Sequence, residues 1–402
     1  MEVPLEISEE KVPLFLDYLR LAIEGLQPVR GEGSIDNAGR FTQRLECLLD
    51  VGQEHVPLTW TIVVNPDDTL EPIVVNAENV PAEVWEKPVR ALIDKTLVAT
   101  INERKERFFL RTQFAHTGWL LDGEYYLPGF RLAPAFTESE DFISEKIAWI
   151  DLNVDAIDRM QANSIRWANA HRIASLLSLF LGVGFYAIQP EKRWVYDRDT
   201  ETSRCLQLGY FSPTPAPTQM PKKNTEARPG GFRPVDRSQI IELPDPDHRF
   251  MLQCPSDIRV LFRALQELPT ASREAYYGAA ALYQIAVTAG HHLPSVRASY
   301  QVAAVDALLR GGQQTRQAWV DFVKRYCPVI IPDALLHQIY GDVRSAHFHG
   351  GSFPGGEYQP LIAAMPTMPK QMNRSTIPFY LQNTVRSVLI RYLLAEGSTE
   401  HT

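Results

Sequence analysis

The segment Ile339 to Gly350 reads IYGDVRSAHFHG and contains an arginine, four intervening residues and a histidine, Arg344 and His349. Those two residue types suit cleavage of RNA by its own 2′-hydroxyl. A histidine that titrates near pH 6.5 can take the proton of that hydroxyl, or give one to the departing 5′-oxygen, close to neutrality. An arginine stays protonated and presents a planar fork of donors to phosphate oxygens where negative charge grows in the transition state. This chemistry calls for no metal. One motif supplies one histidine, whereas the reaction uses both a base and an acid. A symmetric dimer is therefore expected, bringing two histidines and two arginines around one phosphate.

At 100° per residue, Arg344 and His349 lie about 140° apart around an ideal helix. Gly350 and Gly351 predict that the helix loosens there, which would let the His349 ring turn back. His347, three residues after Arg344, shares its face better and is a second candidate.

The elements that must position these residues are helical. Pro255-Ser256-Asp257 predicts a helix start, with Ile258, Leu261, Phe262 and Leu265 as the buried stripe. Ala271 to Ala289 is apolar enough for a central helix. Pro294 opens a third, with Val296, Tyr300, Ala303, Ala304, Ala307 and Leu308 on a helical period. A fourth is predicted from Arg316 to Tyr326. A fifth runs from Pro332 to His349, and a last from Thr376 to Ala395 that buries Leu381, Val385, Val388, Leu389 and Tyr392. The motif thus closes the penultimate helix of a bundle.

In this setting Tyr340, Arg344, Ser345, His349 and Gly350 resemble the tyrosine, arginine-serine and histidine-glycine pattern of ApeA-like HEPN domains. The resemblance spans residues 250–396. It implies that Arg344 and His349 are the catalytic pair of a metal-independent endoribonuclease acting as a dimer, of the kind found among toxins and antiviral defence factors. Ser345, His347 and Tyr340 would support or replace them. Two features depart from the family. Many active members carry Asn, Asp or His directly after the arginine, where this chain has Ser345. A long Gly/Pro segment, Gly350 to Lys370, also precedes the last helix. The alternative is a non-catalytic HEPN-like module that binds RNA or protein, with Arg344 paired to a carboxylate such as Asp342 or Asp333.

Gly341, His347 and His349 also look like the start of a cupin metal motif. That motif needs strands, an acid soon after and a further histidine downstream; here the first acid is Glu357 and the only later histidine is His401. No metal and no cofactor are expected.

Upstream the signals change. Phe41 to Val51, Leu58 to Val64 and Ile73 to Asn76 read as strands, the last two joined by the turn Asn65-Pro66-Asp67-Asp68. Pro81-Ala82-Glu83 opens a helix. A further helix is predicted from Val154 to Phe180, ended by Gly182, with strands near Gly184 to Ile188 and Arg204 to Tyr210. Residues 211–235 are rich in proline and glycine and read as a linker or exposed loop. The expected fold class is therefore α+β: a mixed strand and helix region over residues 1–210, the segment 211–235, and an all-α HEPN-like bundle over 250–396.

At 402 residues the chain exceeds what one hydrophobic core usually supports. Net charge is −8, but residues from Phe250 onward carry 13 Lys and Arg against 10 Asp and Glu, which is +3 and leaves −11 for the rest. That distribution excludes a broad phosphate-binding face and allows a local basic site. The scattered Cys47, Cys205, Cys254 and Cys327 suit a reducing cytoplasm, and neither a signal peptide nor a membrane span is expected. RNA is the expected partner of the helical region. For the N-terminal region three roles stay open: sensing, recruiting a protein partner, or restraining the nuclease.

Overall fold

The structure, a computed structural model, describes residues 1–5, 7–52, 54–103, 105–118, 121–135, 145–188, 191–208, 217–221, 252–291, 293–309, 315–341 and 368–397. The fold is α+β and divides into two compact units, one of residues 1–108 with 155–163, the other of 109–154 with 164–402. Three elements, β6 (Glu106–Thr117), β9 (Glu145–Ala156) and α3 (Arg159–Leu181), run from one unit into the other, so the boundary lies upstream of segment 211–235.

In the first unit an antiparallel sheet has the order β1-β5-β4-β3-β2, from β1 (Glu2–Val3), β2 (Gln27–Ile35), β3 (Phe41–Val51), β4 (Glu54–Val64) and β5 (Ile73–Ala77). Its inward face follows the two-residue period of a strand: Val56, Leu58, Trp60 and Ile62 of β4 are buried, while His55 and Pro57 are exposed and Thr59 is half-buried. Two helices cover that face. From α1 (Val12–Glu24) come Phe15, Leu19 and Ile23, and from α2 (Ala82–Asn102) come Trp85, Val89 and Ile93, each set at helical spacing. The expected turn is present: the Asp68 amide donates to the Asn65 carbonyl at 3.0 Å, and β4 and β5 pair antiparallel.

The second unit begins with a sheet of order β10-β6-β9-β8-β7, where β7 is Tyr125–Leu127, β8 Phe130–Pro134 and β10 Phe185–Ala187. A separate hairpin pairs β11 (Glu191–Asp197) with β12 (Thr202–Leu208). The predicted helix from Val154 is corrected at its start. Val154 and Ala156 end β9, and the helix begins at Arg159, because the Asp158 carboxylate accepts the Gln161 amide at 2.7 Å and caps the first turn. Gly182 terminates it with φ +71, a conformation that side chains disfavour.

After β12 and the described residues 217–221, the chain re-enters beside the sheet through a parallel bridge between Leu121 and Leu252. Helices then follow: α4 (Ile258–Glu267), α5 (Thr270–Thr288), α6 (Pro294–Asp306), α7 (Arg316–Tyr326), α8 (Asp333–Gln338) and α9 (Met368–Glu396). α6 packs on α5 and α9, α9 on α4 and α7, and α7 on α8. The stripes expected on α4 and α9 are buried as a group. On α6, Val296, Tyr300, Ala303 and Ala307 are only half-buried, whereas Ser295, Ser299, Gln301 and Asp306 are buried. The helices share one core with the second sheet, since the Phe262 ring of α4 meets Phe130 of β8 and Phe180 of α3 edge-on. At the end of α3, the half-buried Arg386 of α9 donates to the carbonyls of Leu179 and Phe180, two of the acceptors a helix end leaves open.

Candidate functional site

The approach to the motif is built by α6, α7 and α8. Trp319 of α7 is fully buried, and its indole Nε1 donates to the Val302 carbonyl of α6 at 3.2 Å. Its ring centroid lies 5.8 Å from that of Tyr340. Tyr340 is buried in turn, so the tyrosine of the motif is part of the core. Pro332 caps α8 with an extended backbone, and its carbonyl accepts the Leu335 amide at 3.0 Å. α8 ends at Gln338, and the described residues 339–341 continue it with wider π geometry, which recurs where helices approach functional residues. The Lys324 ammonium bonds the Asp333 carboxylate at 3.0 Å, so one of the two carboxylates considered for Arg344 already carries a cation. Arg344, Ser345, His347 and His349 lie outside the described residues, as do Asp342 and Glu357.

A second constellation was invisible in the sequence. Asp151 on β9 is fully buried and accepts from Arg111 Nε at 2.7 Å, Arg111 Nη2 at 3.0 Å and Arg131 Nη1 at 2.6 Å. Arg131 stands opposite Asp151 in the β8–β9 register and also donates from Nε to Glu124 at 3.0 Å. That bond to the guanidinium holds the Glu124 carboxyl below the usual carboxylate range, against a smaller opposing effect of burial. Arg111 stacks its guanidinium 3.9 Å from the Trp149 ring centre. Two cations face two carboxylates with the Asp151 oxygens satisfied, an arrangement that braces the sheet and leaves little to offer a substrate.

Two further features belong to the same unit. His116 on β6 is buried against Phe185, ring centroids 5.0 Å apart, and burial pushes its pKa down to about 4. The ring is therefore neutral at pH 7. A cavity of about 250 Å³ is lined by Thr117, Gly182, Val183, Gly184, Val287, Arg297 and Gln382. Arg297 is anchored there by a bond from Nε to the Gly290 carbonyl at 3.2 Å.

Among the described residues no three His, Cys, Asp or Glu side chains gather at a metal-binding position, and no helix is long and apolar enough to cross a membrane. Comparison with protein-family models, with curated proteins and with solved structures finds no match.

Proposed function

We propose that the protein is a metal-independent endoribonuclease whose helical region is a HEPN-like domain, with Arg344 and His349 as its catalytic pair. The observation that carries this reading is the placement of Tyr340. It is buried against Trp319 at the end of α8, so the chain leaves a fixed point of the core four residues before Arg344. A site held from a packed element keeps the sub-ångström positioning that phosphoryl chemistry needs.

In the reaction the 2′-oxygen loses its proton to one histidine and forms a bond to phosphorus. The phosphorus–5′-oxygen bond breaks, and a second histidine protonates the departing oxygen. The products are a 2′,3′-cyclic phosphate and a free 5′-hydroxyl. Arg344 stabilises the extra negative charge on the non-bridging oxygens. The second histidine comes from a second copy of the chain, so the active form is a homodimer in the cytoplasm. A toxin or antiviral defence effector is the role this activity fits.

The test is incubation of the purified chain with mixed RNA in excess EDTA, repeated with Arg344→Ala, His349→Ala and His347→Ala. Cleavage that survives chelation and is lost in the first two variants supports the proposal. Full activity in His349→Ala transfers the role to His347, and RNA binding without cleavage leaves a HEPN-like binding module. Light scattering on the active protein tests the dimer, and an active monomer overturns it.

A further inference from the structure

We propose that the cavity where the ends of β6, α3 and α5 meet α6 and α9 binds a small phosphate monoester, with Arg297 and Gln382 as its recognition residues. The proposal is independent of the nuclease reading above. The cavity measures about 250 Å³, and both residues line it. Arg297 is held at its wall by a close approach of backbone. A Cβ on Gly290 would lie 2.7 Å from the Cα and Cβ of Arg297, so a glycine there lets the start of α6 press against the end of α5. The Arg297 Nε then donates to the Gly290 carbonyl at 3.2 Å. A second guanidinium stands behind the wall. Arg386 follows Gln382 by one turn of α9, and its Nε and Cζ lie 3.4 and 3.6 Å from the point that a Cβ on Gly182, another lining residue, would occupy.

The charge of the cavity selects an anion. Among the described residues its lining holds a guanidinium and no carboxylate. Burial holds Arg297 below the ordinary arginine range, outweighing the opposing effect of Tyr283. Burial does the same to Arg386, against Tyr283 and Asp257. Positive charge that is desolvated by more than its surroundings return is stabilised by a bound anion, and a metal cation is repelled. Tyr283 is fully buried on α5, one turn before the lining residue Val287. Its phenol is pushed up to about 12 by burial, against the effects of Arg386, Gln382 and Arg297, so these groups share one polar cluster beside the cavity. The Gln382 amide and the Thr117 hydroxyl add neutral hydrogen-bond donors to the wall. The volume equals the liquid share of roughly eight waters, more than one oxyanion fills, so the ligand carries an organic group beyond its anionic end. Two guanidiniums and further donors match the double charge and three terminal oxygens of a phosphate monoester better than they match a carboxylate.

The experiment uses the full-length chain in phosphate-free buffer, with ribose 5-phosphate and glycerol 3-phosphate as probes and ribose, glycerol and succinate as controls. Binding is read by isothermal titration calorimetry and by the thermal midpoint as a function of probe concentration. At least one phosphate ester is expected to bind saturably at one site per chain and to raise the midpoint with the logarithm of its concentration, while ribose and glycerol do neither. Arg297→Ala should raise Kd about tenfold, and Arg297→Lys should recover part of that loss, since the charge is kept and the fork is gone. Gln382→Glu keeps the size of a half-buried side chain and places a carboxylate in the wall. It should raise Kd about tenfold as well, which keeps the test open if Arg297→Ala does not fold. Arg172→Ala removes an exposed arginine that pairs with Glu274 elsewhere and should leave Kd unchanged. Absence of saturable binding by either ester overturns the proposal. So does a Kd that is unchanged in Gln382→Glu, or one that rises equally in Arg172→Ala. Succinate that binds as tightly as the esters overturns the choice of phosphate.

Discussion

Asp151 and Asp155 stand on the same strand, each bonded to an arginine of β6, and they should respond to substitution in opposite ways. Arg111 and Asp151 have side-chain exposures of 8% and 0%, and Arg131, the second partner of Asp151, is 5% exposed. Arg107 and Asp155 are 71% and 54% exposed. Asp151→Ala would leave two guanidiniums inside the protein facing one remaining carboxylate, Glu124. Removing one member of a buried charge group costs about 3–5 kcal/mol, because the survivors keep their desolvation penalty without its compensation. Asp155→Ala removes a pair that water already screens and should not shift the unfolding midpoint measurably. Urea titration read by tryptophan fluorescence suits the comparison, since Trp149 lies directly under Arg111. A triple variant, Arg111→Met with Arg131→Leu and Asp151→Leu, should recover much of the loss, because the buried charges are then gone and the carboxylate left over, Glu124, is 37% exposed. Equal shifts for Asp151→Ala and Asp155→Ala would refute the reasoning, and so would a triple variant less stable than Asp151→Ala.

Two other outcomes follow from the described core. His116 has a folded pKa of about 4 against about 6.5 when unfolded, so the unfolded chain binds the extra proton between those values. Its contribution to stability is intact above pH 6.5 and is lost as pH falls towards 4, roughly 3 kcal/mol in all. His116→Phe should flatten that part of a stability-against-pH curve, and an unchanged slope would show that His116 is accessible to protons. Gly184 sits so tightly that a Cβ there would lie 2.6 Å from the Thr288 methyl and 3.0 Å from the Val287 carbonyl oxygen. Gly184→Ala should therefore cost about 1–3 kcal/mol in thermal or urea unfolding, and a neutral result would mean that α5 can yield at its end.

Much of the helical scaffold was legible because burial and periodicity agree there. Leu381, Val385, Val388, Leu389 and Tyr392 predict one face of α9, and that face is buried. α6 misled because it is covered by α5 and α9 as well as touching α7, so its burial extends well beyond an apolar stripe. Serines 295 and 299 and Gln301 are enclosed by neighbours whose identity local spacing does not carry. The start of α3 was displaced for a related reason. Ala156 and Met160 repeat at a helical interval, yet ladder bonding in β9 holds Val154 and Ala156 extended until Asp158 caps the next turn. Arg111, Arg131 and Asp151 lie on three different strands, β6, β8 and β9, and only the order and register of the sheet bring them together. Of the candidate site, Tyr340 was legible as a motif residue, but its burial against Trp319 was not.

The proposed chemistry is tested most directly with an RNA that carries a single 2′-deoxy sugar on the 5′ side of a mapped cleavage position, digested in excess EDTA. The proposal predicts that this linkage stays intact, that unmodified RNA is cut at the same position, and that its product ends in a 2′,3′-cyclic phosphate. Cleavage at the 2′-deoxy linkage, or activity that vanishes with chelation, would contradict it.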